Sequence, residues 1–304
     1  MIDFLRSEGV SEDILSQVQH FRQTHSVSST ATTRIPHPIY KYYGKEVYEE
    51  AIVSLLSGEN ILLVGAKATG KNVLAQCLSA LFGRPTWDIS FHINTDSGSL
   101  IGTDTFVGGE VRLREGPILS CAKEGGFGIL DEINMAKNEA LAVLHATLDF
   151  RHVIDVPGYE RIELSDATRF IATMNYGYAG TREINEALAS RFMVINMPII
   201  SEEILARLLT GEFPTLREGF VTQFVELFSE IRKKSDSGEI STKSLDLRGL
   251  LSAIKLAEHG LPITDALMLG LANKCFDPFE HQLVEDIIST RLPRGIARSD
   301  VFQP

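Results

Sequence analysis

The chain has 304 residues, is 44% hydrophobic and 23% charged, and carries a formal net charge of -11. That size supports one large core and a smaller one, and the acidic balance argues against wrapping a nucleic-acid backbone. Cys77, Cys121 and Cys275 have no metal-ligand spacing, which argues against a disulfide scaffold and fits a reducing cytoplasm. The N-terminus lacks a signal-peptide pattern, and no apolar run reaches membrane-spanning length, so no membrane insertion is expected.

Residues 1–23 read as an amphipathic helical segment, with Leu5, Ile14, Leu15, Val18 and Phe21 on one stripe. A Ser-, Thr- and Pro-rich stretch follows, THSVSSTATTRIPHP, with the composition of a linker. The main body is expected to start near Tyr40. There, short apolar strands alternate with helices: strands at Asn60–Val64, Thr86–Phe91, Phe127–Leu130, Arg169–Thr173 and Phe192–Asn196, and helices at Lys71–Phe82 and Asn138–Leu148. Such alternation predicts a parallel five-stranded sheet covered on both faces, a three-layer α/β sandwich. Residues 100–118 and 152–164 interrupt it as hairpins, turning at Gly108–Gly109 and Pro157–Gly158. After Pro198 only helical periodicity remains. The expected domains are therefore 1–39 (helix and linker), 40–199 (α/β core) and 200–304 (an all-helical lid with a C-terminal tail).

The strongest chemical signal is GAKATGKN, which follows the first strand and opens a helix. In a phosphate-binding loop, glycines let backbone N–H groups curl around an anion, and the helix N-terminus adds its dipole. The loop residues are Gly65, Ala66, Lys67, Ala68, Thr69, Gly70, Lys71, Asn72 and Val73, with Lys71 reaching the outer phosphates of ATP. The loop pattern ends in Ser or Thr, whose hydroxyl binds Mg²⁺. Here Asn72 stands in that place, and its amide oxygen is a hard neutral ligand of the same kind.

The second signal is ILDEIN, in which Asp131 ends the third strand and would hold Mg²⁺ through water while Glu132 polarises an attacking water. Asn175, at the end of the fourth strand, is placed to contact a γ-phosphate and that water, or else is a turn former before Tyr176–Gly177. Arg191, in LASRF, suits the γ-phosphate of a neighbouring copy, with Arg182 as a rival, and is otherwise a surface ion pair. Arg248, near the start of a helix in the C-terminal region, is a further candidate or a solvated helix charge.

Taken together, these residues resemble the AAA+ superfamily of P-loop ATPases. The hairpin ahead of the acidic pair and the GPI run at Gly116–Ile118 resemble its helix-2-insert branch. DEIN-x-A at Asp131–Ala136 and the run from Asn175 to Phe192 resemble the MoxR-type and dynein-related ATPases. The resemblance covers about residues 40 to 290. It implies a sheet order of 5-1-4-3-2 with a helical lid, and homo-oligomeric rings, usually hexamers. Asn175 resembles sensor 1, Arg191 the arginine finger and Arg248 sensor 2. It also implies a chaperone that uses ATP and Mg²⁺ to mature a protein client, often with a von Willebrand factor A domain partner. Two positions depart from the pattern: Asn72, and Met135, which stands where the family usually has Arg, with Lys137 near enough in sequence to replace it. A motor subunit of a nucleic-acid machine, McrB-like, is the alternative. Its N-T-x-D signature is absent here, where Asn175-Tyr176-Gly177-Tyr178 stands. A third reading is a scaffold that binds ATP with little hydrolysis.

Overall fold

The computed structural model describes residues 1–149, 151–156, 158–175 and 184–303. Its N-terminal segment forms two helices rather than one, α1 (Ile2–Ser7) and α2 (Glu12–Thr24), broken where Gly9 takes a φ of 82°. Next come α3 (Lys45–Leu56), β1 (Ile61–Val64), α4 (Lys71–Phe82) and β2 (Thr86–Ser90). A short α5 (Ser97–Ile101) leads into the hairpin β3 (Gly102–Val107) and β4 (Glu110–Glu115), which α6 (Pro117–Lys123) follows. Then come β5 (Phe127–Asp131), α7 (Asn138–Thr147), the short pair β6 (Val153–Ile154) and β7 (Ile162–Glu163), and β8 (Arg169–Met174). The short α8 (Glu186–Ala189) precedes β9 (Met193–Asn196). Thereafter the chain is helical: α9 (Glu202–Glu212), α10 (Glu218–Asp236), α11 (Leu247–Glu258), α12 (Ile263–Gly270), α13 (Pro278–Arg291) and α14 (Arg298–Val301). No helix among the described residues is long and apolar enough to cross a membrane.

The chain divides into two compact units: residues 1–66 with 70–198, and residues 67–69 with 199–304. The first unit holds the five-stranded sheet, in the order β2-β5-β8-β1-β9, with every neighbouring pair parallel. Counting these strands one to five along the chain, the order is the 5-1-4-3-2 that the resemblance implies.

Successive strand side chains point to opposite faces, and the core follows that rule. Ile61, Leu63, Phe127, Ile129 and Ile171 share one apolar cluster with α2, α3 and α4. Leu62, Val64, Leu130, Phe170 and Ala172 join the other, with α5, α6 and α7. Strands buried on both faces explain why the sequence reads as continuous apolar runs rather than alternation.

The N-terminal helices are part of the first cluster rather than an appendage. Leu5, Leu15 and Val18 are fully buried against α3 and α4, and Phe21 meets Phe82 edge to face at 5.2 Å between ring centres. The Ser- and Thr-rich stretch after them lies on β2: the Thr86 hydroxyl donates to the Arg34 carbonyl (3.2 Å), and the Arg34 guanidinium sits 4.8 Å from the Trp87 ring centre. A composition-based linker reading misses this because the contacts come from backbone carbonyls and one Arg rather than from an apolar stripe.

The first hairpin turns at Gly108 and Gly109, with φ of 62° and 91°, the left-handed pair a two-residue hairpin turn requires. Phe106 faces Val111 across it, and both are exposed. The second hairpin shrinks to two paired residues on each side; Pro157, at its expected turn, lies outside the described residues.

In the second unit, α11 and α12 approach until only glycine fits. A Cβ on Gly249 would lie 2.1 Å from the Gly270 carbonyl oxygen, and one on Gly270 would lie 2.4 Å from that of Gly249. Phe224, Leu227, Phe228 and Ile231 bury one face of α10, and Arg291 of α13 pairs with Glu226 and Glu230 on that helix. Near the C-terminus, Phe302 bridges back to Leu216.

Candidate active site

In open α/β sheets ligands bind at the carboxyl ends of the strands, and the sequence-predicted groups of the first unit gather there. The loop after β1 starts with the Gly65 N–H donating to the Met174 carbonyl (3.3 Å), which ties it to the end of β8. Ala68 and Gly70 adopt left-handed φ of 65° and 82°, so the backbone doubles back before α4 begins at Lys71. A Cβ on Gly70 would lie 3.1 Å from the Tyr42 ring, a tight contact, and the left-handed φ favours glycine there in any case. As the residue capping α4, Gly70 has no side chain to bond the first N–H groups of the helix, and helix starts of this kind suit anionic ligands.

Lys71 is 8% exposed, and its ammonium donates to the carbonyls of Gly65 (2.9 Å) and Ala66 (2.8 Å). Burial pushes its pKa down to about 8, although Asp131 and Glu132 are near enough to pull against that shift. A buried cation beside two carboxylates, at an uncapped helix start, suits a polyphosphate carrying a divalent metal. Gly65 to Val73 would cradle the phosphates, and Asn72 (exposed on the first turn of α4) and Asp131 would hold Mg²⁺.

The acidic pair is built by register. β5 and β8 pair Leu130 with Ala172, so Asp131 and Thr173 come next on adjacent strands. They continue the parity of Ile129 and Ile171 and therefore share the sheet face against which α4 packs. The Thr173 hydroxyl donates to Asp131 Oδ1 (2.6 Å) and accepts the Glu132 N–H (3.1 Å). Glu132 sits at φ 55°, ψ 46°, a left-handed conformation that costs a non-glycine residue on the order of 1–3 kcal/mol. Its carboxylate accepts from Asn175 Nδ2 (3.2 Å). The buried Asn134 in turn donates from Nδ2 to the Asn175 carbonyl (3.1 Å), fixing that residue from behind.

Lys71, Asp131, Glu132 and Asn175 thus form one constellation. Sequence reasoning missed Thr173, Asn134 and Tyr42. Thr173 ends the apolar strand just before Asn175 and Asn134 closes ILDEIN, so the signal falls on their neighbours, and Tyr42 lies in a segment without a motif.

The two arginines have other surroundings. Arg191 is half-buried, with Nε donating to the His145 carbonyl in the last turn of α7 (3.0 Å) and Nη1 to the Ala187 carbonyl. A cation is favoured at that helix end. Arg248 is exposed in the first turn of α11, where its N–H donates to the capping Asp246 (3.1 Å). Arg182 and the Tyr176–Gly177–Tyr178 run lie outside the described residues.

Residues 60–192 match the family model described as AAA domain (dynein-related subfamily). The chain is 30% identical over 284 residues to the uncharacterized protein YojN of Bacillus subtilis, covering 92% of this chain and 93% of that one. It is 31% identical over 256 residues to an uncharacterized protein of Staphylococcus epidermidis, covering 82% of this chain and 97% of that one. A solved chain from Cytophaga hutchinsonii is similar with a TM-score of 0.45 at 17% identity, covering 93% of this chain and 97% of that one. Family match and relatives together show that this chain belongs to the AAA-type ATPases, with a dynein-related AAA domain at its centre.

Proposed function

We propose that this chain binds ATP with Mg²⁺ and hydrolyses it, and that it works as a MoxR-type remodelling ATPase on a protein client. The observation that carries the proposal is the pair of bonds that poses the acidic residues beside Lys71: Thr173 to Asp131, and Asn175 to Glu132. Bound Mg²⁺ would neutralise charge on the transferring phosphoryl group. Lys71 would exchange its carbonyl acceptors for phosphate oxygens. Glu132 would take a proton from the attacking water, and Asn175 would orient both.

The reading includes assembly as a hexameric ring, in keeping with the oligomeric habit of the family, in which Arg191 would act at the site of an adjacent copy. Arg248 is assigned to the nucleotide as sensor 2. The exposed hairpin tip, with Phe106, Val107 and Val111, supports a contact with the client. A partner with a von Willebrand factor A domain and a cytoplasmic setting belong to the same reading.

Two experiments test the proposal. Wild-type protein should release phosphate from ATP, and Lys71→Ala should not. Capture with a Glu132→Gln variant held in ATP should retain a discrete protein client. Absence of ATP turnover in the wild type would overturn the enzymatic part, and retention of nucleic acid alone would favour the motor reading.

A further inference from the structure

We infer that Thr173 is a positioning residue for the reaction, with its one hydroxyl holding both acidic residues in place; this rests on the ATPase reading above. Thr173 is 1% exposed, on β8 between β5 and β1. A hydroxyl has one proton to give and lone pairs to accept, and this one uses both. It gives the proton to Asp131 Oδ1 at 2.6 Å and accepts the Glu132 N–H at 3.1 Å.

These two bonds do different things. The first fixes the rotation of the Asp131 carboxylate, the group assigned to Mg²⁺. The second anchors the backbone of Glu132 in a left-handed conformation that L residues avoid, and so aims its side chain at Asn175. Without the hydroxyl, a part-buried N–H and a carboxylate oxygen lose their partner together. The competing explanation is packing: Thr173 fills space in the sheet. Valine has nearly the same shape and no hydroxyl, so it separates the two.

The test compares wild type, Thr173→Val and Thr173→Ser. Three quantities are read: affinity for a fluorescent ADP analogue, kcat with Mg²⁺-ATP, and affinity of the ADP complex for Mn²⁺ from its free paramagnetic signal. Loss of a group that orients a metal-holding carboxylate typically costs about 10–100-fold in metal affinity or activity. Thr173→Val should therefore keep analogue affinity while kcat and Mn²⁺ affinity fall by that order, and Thr173→Ser should restore both. If Thr173→Val no longer binds the analogue, Thr173→Ala takes its place in the comparison. Wild-type kcat and Mn²⁺ affinity in a hydroxyl-free variant would overturn the inference, as would failure of serine to restore them. If the wild type does not turn over ATP, the ATPase reading fails, and the Mn²⁺ comparison still decides the role of Thr173.

Discussion

Arg84 Nη1 lies 2.8 Å from the carbonyl oxygen of His25. The same guanidinium, 1% exposed, donates to the carbonyls of Gly125 (2.7 Å) and Glu124 (3.3 Å), so one buried side chain clamps the end of the N-terminal helices to the turn after α6. Arg84→Met would leave those carbonyls without donors, and buried polar groups lose about 1–3 kcal/mol when a partner is removed. The expected loss is about 3 kcal/mol by urea unfolding, with Arg84→Lys intermediate because one nitrogen cannot replace a fork. Leu15→Ala, at the centre of the packed face of α2, should cost about 2–5 kcal/mol. Arg112→Met, on the exposed hairpin, should change stability by less than about 0.5 kcal/mol. If Arg84→Met and Leu15→Ala both unfold like wild type, the N-terminal segment does not belong to the core.

Nucleotide affinity should depend on pH through Lys71. Burial holds its pKa near 8 in the ligand-free protein, below the ordinary 10.5, whereas bound phosphates favour the charged form. Binding then takes up a proton above pH 8, so affinity is flat below about pH 7 and falls as pH rises through about 8, toward tenfold per unit. Ligand-free stability runs the other way. Between about 8 and 10.5 the unfolded chain binds more protons than the folded one, and stability rises with pH in that window. Titration of a fluorescent ATP analogue from pH 6.5 to 9.5 reads the first effect. A flat affinity across that range would show that Lys71 is not the titrating contact.

Arg191 is held by carbonyls of its own chain, at the end of α7 and in α8. On the ring reading these bonds position it for the γ-phosphate of the next copy, where such a cation is worth on the order of 10³–10⁵ in rate. Arg191→Ala and Lys71→Ala should each be inactive alone and regain partial activity when mixed, because some mixed interfaces hold both an intact loop and an intact arginine. Full activity in Arg191→Ala, or no recovery on mixing, would remove Arg191 from the site and leave it as a cap for α7.

The sheet was legible in the sequence because parallel strands buried on both faces are short, apolar and spaced by helices. The helix that starts at Lys71 was legible from the glycine before it. Less visible was the contribution of residues 1–35, since carbonyls that accept from Arg84 carry no side-chain signature. Within the site, the sequence pointed to Lys71 at the close of a glycine-rich loop, and to Asp131, Glu132 and Asn175 at or just past the ends of apolar strands. It could not show that Thr173 stands level with Asp131, because that depends on the register of two strands far apart along the chain. Arg248 stood out by its place near a helix start and by the resemblance, and in the structure it is an exposed side chain beside its helix cap.

The most direct measurement of the central claim is ATP turnover by Glu132→Gln beside wild type and Lys71→Ala, with ATP binding measured on the same preparations. Removing a general base typically costs about 10²–10⁴-fold in rate. The account predicts that Glu132→Gln binds ATP as wild type does and loses turnover by that order, while Lys71→Ala fails to bind. Glu132→Gln hydrolysing ATP at the wild-type rate would contradict it.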